Sequence, residues 1–163
     1  MHLNVGDKAP RFTARDRMDR TWSLDGSGTP LTLLTFWKTS CSTCQMTFPY
    51  LERVAQDYPK TVTVIGVVQD ADPYAGAEWA HKWGAHFPII SARSPFPISM
   101  AYDPAVTPTL FLIDNTQHRI LSVYEALVKK DLNALSHAIA SIGKVPATVV
   151  APDRDGNPAW TPG

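Results

Sequence analysis

A chain of 163 residues, 44% of them hydrophobic, suffices for one packed domain, and its fifteen Lys and Arg cancel fifteen Asp and Glu. With no net charge and no basic block, nothing predicts a nucleic-acid or anionic-membrane partner. No stretch approaches the ~20 apolar residues of a membrane span, and Met1 to Pro10 holds no apolar segment of signal-peptide length, so the chain as written is expected to be cytoplasmic, or extracytoplasmic were a leader removed.

Residues 3–30 are polar and turn-rich, with Phe12 and Trp22 as apolar anchors and Gly26, Gly28 and Pro30 closing the segment, which predicts a short β-hairpin leading into the core. Residues 31–37, 61–68 and 109–113 are short, nearly continuous apolar runs, the pattern of strands covered on both faces. The first covering helix is expected over residues 42–58, with Met46, Tyr50, Val54 and Tyr58 at four-residue steps. Pro49 falls inside it. Because the apolar stripe continues in phase beyond that proline, a kinked helix is expected rather than one ending near Phe48.

A second helix, residues 73–84, carries Trp79 and Trp83 one turn apart, both expected on the core. A short strand at 86–90 and a connection holding Pro95, Pro97 and Pro104 follow. Asp114-Asn115-Thr116-Gln117 has turn chemistry, and residues 120–124 can return as an antiparallel partner. The last helix presents Leu132, Leu135, Ile139 and Ile142, with Gly143 placed to stop it. From Lys144 onward Pro146, Pro152, Pro158 and Pro162, with few periodic apolar positions, predict an extended or disordered tail. The sum is an α/β fold of three layers, a central mixed sheet flanked by helices, with an N-terminal β-hairpin.

Chemistry concentrates at Cys41-Ser42-Thr43-Cys44, which holds the only two cysteines of the chain. If residues 31–37 are a buried strand and a helix starts at Cys41, that sulfur sits where unpaired N–H groups and the helix dipole favour an anion. Free cysteine titrates near 8.5, so only about 3% is ionised at pH 7, and such a site raises the nucleophilic fraction. Zinc would need two further ligands, and His81 and His86 lie far beyond finger spacing. A purely structural disulfide closing so short a loop would remove little unfolded-chain entropy. Thiol–disulfide exchange fits best.

Taken together, the Val5-Gly6-Asp7-Lys8-Ala9-Pro10 opening followed by Phe12, Phe36-Trp37 before the cysteine pair, Pro49 five residues after Cys44, and Thr107-Pro108 before Phe111-Leu112-Ile113-Asp114 give the chain its resemblance to the thioredoxin superfamily. Within it the chain is similar to the TlpA/ResA-like thiol–disulfide oxidoreductases, which are AhpC/TSA-redoxin-like and add an N-terminal hairpin. The resemblance implies a thioredoxin-like domain over 3–143 and a Pro-rich tail over 144–163. It implies Cys41 and Cys44 as catalytic thiols, Thr107, Pro108, Trp37 and Ser40 at the client-binding surface, a cis peptide bond before Pro108, and Pro49 as a structural kink. No metal or cofactor is implied. The implied partners are protein disulfide or dithiol clients and a separate redox partner, and a monomer is expected.

Departures from the pattern are specific. Ser40 stands where relatives commonly have an aromatic residue, and Thr35 and Thr47 stand where they place a buried carboxylate that takes the proton of the second thiol. Two alternatives share the fold. A thiol peroxidase needs Thr or Ser three residues before its cysteine, but Lys38 and Cys41 hold those places. A copper chaperone would combine both thiols with a histidine such as His118 or His137, although its cysteines are spaced by three residues rather than two.

Overall fold

The computed structural model describes residues 3–24, 28–70, 72–91 and 97–163, so Gly26 and Pro95 lie outside the described residues. Strand β3 (Leu31–Trp37) is buried at every position and occupies the middle of a five-stranded sheet. It pairs in parallel with β4 (Val62–Val68) and antiparallel with β6 (Thr109–Asp114). The parallel strand β5 (Ile89–Ser91) and the antiparallel strand β7 (Arg119–Glu125) complete the order β5-β4-β3-β6-β7. Alternation along β3 sends Leu31, Leu33 and Trp37 to one core and Leu34 and Phe36 to the other, which is why the run is apolar throughout.

The first core is closed by α1 (Ser42–Asp57), α2 (Pro73–Lys82) and α4 (Lys129–Gly143), which contribute Phe48, Leu51 and Val54, Ala77 and Ala80, and Leu132, Leu135 and Ile139. The second is closed by Ala9, Phe12 and Leu24 and by a short helix α3 (Pro97–Tyr102) through Ile98 and Tyr102. The N-terminal hairpin, β1 (Thr13–Arg15) with β2 (Thr21–Ser23), turns around the Asp16 carboxylate. It accepts from the Met18 and Arg20 amides, Arg20 Nε and Trp22 Nε1. Burial opposes its ionisation, but those bonds outweigh it and hold the carboxyl below its ordinary range.

Helix α1 runs through Pro49 to Asp57, so the proline does not end it. The second helix stops at Lys82, and Trp83 is 43% exposed rather than in the core. Ile142, in the last turn of α4, is likewise 44% exposed. Gly143 is still inside the helix, and Lys144 takes the left-handed φ of 53° that caps it. The glycine serves close packing instead: a Cβ there would lie 2.4 Å from the Thr61 hydroxyl.

Residues 145–163 contain no helix, yet they are docked along α1 and α4. Val150 and Ala151 are fully buried, and the Asn133 side chain bonds the Val150 and Ala151 amides and the Ala151 carbonyl. Buried Lys129 donates to the carbonyls of Pro152 and Asn157 at 2.8 and 2.9 Å and to Asp155 Oδ1 at 2.6 Å. The chain then pairs β9 (Trp160–Thr161) with β8 (Leu127–Val128). Scarce apolar periodicity left the tail extended or disordered; polar side chains of the two helices supply anchors that periodicity does not register.

Candidate active site

Cys41 is the N-cap of α1, with an extended backbone, and its sulfur accepts the Cys44 amide at 3.1 Å. The helix starts here because β3 ends at Trp37 and the Lys38-Thr39-Ser40 turn brings the Cys41 amide onto the Lys38 carbonyl. Asp70, just beyond β4, holds that turn by accepting the Thr39 amide at 2.7 Å. The two cysteines form a disulfide with Cα atoms 5.2 Å apart. Cys41 is 8% exposed and Cys44 0%, so the first thiol is the accessible one, although far less open than its helix-start position suggests.

The Thr107-Pro108 peptide bond is cis, and the Cys41 sulfur lies 3.4 Å from the Thr107 carbonyl oxygen. As a disulfide this sulfur carries no proton, so the approach is a contact; as a thiol it can donate across the same gap. The register explains the meeting, since Phe36 at the end of β3 pairs with Thr109 at the start of β6. Ser40 is exposed and joins Cys41, Thr107 and Lys38 around a cavity of about 440 Å³ beside the sulfur.

Trp37 is not part of that surface. It is fully buried, stacked on Trp79 with ring centroids 5.8 Å apart and edge-on to Phe48 at 5.0 Å, and Gly66 leaves room for its indole. The resemblance implied a client contact, whereas Trp37 is a packing residue beneath the site, because it alternates to the same face as Leu33. Pro49 is exposed on α1, outside the site.

The face of β3 that carries Leu33 and Trp37 also carries Thr35, whose buried hydroxyl has no protein partner among the described residues. Thr47 is buried and its hydroxyl is committed to the Thr43 carbonyl at 2.8 Å. Neither can take a proton as a carboxylate would. His118 stands in the turn after β6, at the opposite end of that strand from the cysteines, and His137 is on an exposed position of α4. Neither histidine joins the thiols.

Sequence reasoning missed Asp70, Thr43 and the 162–163 segment. Thr43 Oγ1 donates to the Pro162 carbonyl at 2.6 Å, and Pro162 and Gly163 line the cavity beside Cys41. The turn-forming Asp153-Arg154-Asp155-Gly156-Asn157 stretch was the available signal that the tail folds back.

Comparison with known proteins agrees with this geometry. The AhpC/TSA family matches residues 5–121. The thiol-disulfide oxidoreductase ResA of Geobacillus thermodenitrificans is 30% identical over 129 residues, 78% of this chain and 74% of that protein. A Chlorobium tepidum protein provisionally described as thiol:disulfide interchange protein DsbE superposes with a TM-score of 0.75 at 25% identity, covering 86% of this chain and 98% of its own. A thiol:disulfide interchange protein from Bacteroides sp. shares the fold at a TM-score of 0.70 and 21% identity, covering 96% and 97%. Among the described residues no helix is long and apolar enough to cross a membrane.

Proposed function

The chain belongs to the AhpC/TSA family and is a thiol–disulfide oxidoreductase of ResA-like kind, and we propose that it exchanges disulfides with protein clients, Cys41 attacking and Cys44 resolving. The observation that carries this reading is the Cys41 sulfur against the Thr107 carbonyl at the cis proline, which sets the reactive atom beside a main chain able to pair with an extended client. In the reducing direction the Cys41 thiolate attacks one sulfur of a client disulfide, forming a mixed disulfide and releasing the other client sulfur as a thiolate. Cys44, deprotonated, then attacks the Cys41 sulfur, expels the second client thiolate and leaves the Cys41–Cys44 disulfide. The client gains two electrons and two protons; a dithiol donor restores the enzyme, and the reverse sequence oxidises a client.

At the helix start, the Cys44 amide and the dipole of α1 stabilise the Cys41 thiolate. The resolving step lacks such help, because Thr35 and Thr47 offer no base to buried Cys44. Installing one should speed it. Thr47→Glu is expected to raise the rate of mixed-disulfide decay near neutral pH by roughly tenfold, at some cost in stability from burying an ionisable group. Stopped-flow decay of a preformed mixed disulfide measures this, and an unchanged rate would mean the proton leaves by another route.

Direction of electron flow is read from the potential of the pair in glutathione or dithiothreitol buffers. A value near about −270 mV assigns a reductant suited to a cytoplasmic setting, and one near about −120 mV an oxidant suited to an extracytoplasmic one. The function itself is tested by turnover of insulin disulfides with dithiothreitol as donor, in the wild type and in Thr43→Val; no turnover above the uncatalysed rate in either would count against general exchange with protein clients.

A further inference from the structure

We propose that residues 160–163 form a strap over Cys41 that bulky disulfides must displace and small ones need not, with Thr43 as its latch. The proposal rests on the exchange reading of the cysteine pair and goes beyond it by making access to the pair depend on the tail.

Four contacts define the strap. The Lys129 amide bonds the Ala159 carbonyl, the β8–β9 ladder sets Trp160 opposite Val128 and Thr161 opposite Leu127, and Thr43 Oγ1 donates to the Pro162 carbonyl. Gly163 then lies on the loop before the cis proline so closely that a Cβ on it would be 2.8 Å from the Thr107 oxygen and 3.1 Å from the Val106 side chain. The Thr107 carbonyl therefore faces Cys41 on one side and the strap on the other. A client strand pairing with the Thr107 main chain needs a strip of its own about 4.8 Å from that backbone. With Gly163 packed this close to the Thr107 oxygen, strap and client strand compete for the same side of the loop.

The strap is also built to open. Upstream the tail is held firmly, with Lys129 buried in a ring of oxygens from residues 152–157. Beyond that clamp, Pro158, Ala159, Trp160, Pro162 and Gly163 are exposed, and the hold is the Lys129–Ala159 main-chain bond, a two-residue ladder, one hydroxyl bond and the packing of Gly163 on the Val106-Thr107 loop. The buried Thr161 hydroxyl has no protein partner among the described residues, which weakens the closed arrangement further. Thr43 connects this to the chemistry, since it sits between the two cysteines and is itself buried. With the strap in place the cavity of about 440 Å³ between it and Cys41 leaves room for a compact disulfide.

The test compares two maleimides of the same reactivity, N-ethylmaleimide and one carrying a long polyethylene glycol chain, on reduced protein in a Cys44→Ser background. Thr43→Val, which removes the latch hydroxyl, and Thr161→Pro, which removes an N–H from the paired strand, should each raise the bulky-to-small rate ratio by roughly tenfold, while Thr43→Ser leaves it unchanged. A flat ratio in both variants, or equal acceleration of both reagents, would overturn the strap. Insulin turnover with both cysteines present separates the two readings. If the maleimide ratio rises and no variant acts on insulin, the protein-client reading fails while the strap stands; if all variants act on insulin equally and the ratio is flat, the strap fails and the exchange reading stands.

Discussion

Cys41→Ser should lose exchange activity by at least about a thousandfold, whereas Cys44→Ser should keep the first attack and accumulate a covalent mixed disulfide with client. The asymmetry follows from position on one helix. Cys41 is the cap, receives the Cys44 amide and retains 8% of its surface, while Cys44 is inside the first turn and fully buried, with threonines at 35 and 47 rather than a carboxylate. Only a sulfur that is both ionised and reachable can open a client disulfide, and burial disfavours the charged form of the other. Non-reducing gels of Cys44→Ser after incubation with insulin report the trapped species, and thiol-reducing agents should dissolve it. Alkylation of the reduced wild type supplies the counter-test: faster labelling of Cys44 than Cys41 would reverse the assignment.

Much of this site was legible before any coordinates, for a physical reason. The reactive centre is built where a buried strand gives way to a helix, and both elements announce themselves locally, residues 31–37 by unbroken apolarity and α1 by its stripe continuing past Pro49. Thr107-Pro108 was legible because a proline opening an apolar run restricts what the chain can do there. Trp37 was misread for the complementary reason: a resemblance in motif says nothing about which face of the strand a side chain takes. Trp83 and Ile142 erred in the same way, since spacing along a helix finds a face but not where the neighbouring layer ends. The α3 helix was hidden among prolines, whose signal for a loop is equally the signal for a first helical turn at Pro97.

The tail was the least legible part, because its hold depends on a buried charge, and Lys129→Met tests that hold directly. The Lys129 ammonium donates to the main-chain carbonyls of Pro152, Asp153 and Asn157 and to Asp155, which also accepts from Tyr50. Removing it leaves those oxygens turned toward an apolar side chain, and the expected result is a fall in Tm of roughly 5–10 °C at neutral pH. The pH dependence identifies the cause. The Lys129 hydrogen bond, with that of Tyr50, holds the Asp155 carboxyl well below its ordinary range, so its folded-state pKa is lower than its unfolded one. Stability from such a group is fully present above the unfolded value, near 4 for aspartate, and is lost as pH falls through the folded value. The Tm gap between wild type and Lys129→Met should therefore be constant from about pH 5 upward and shrink as acid protonates Asp155. Thermal melts across that range measure it. A gap that does not narrow in acid would show that Lys129 acts through packing of its stem, and the polar hold on the tail would then rest on Asn133, Arg53 and the β8–β9 pairing, beside the burial of Val150 and Ala151.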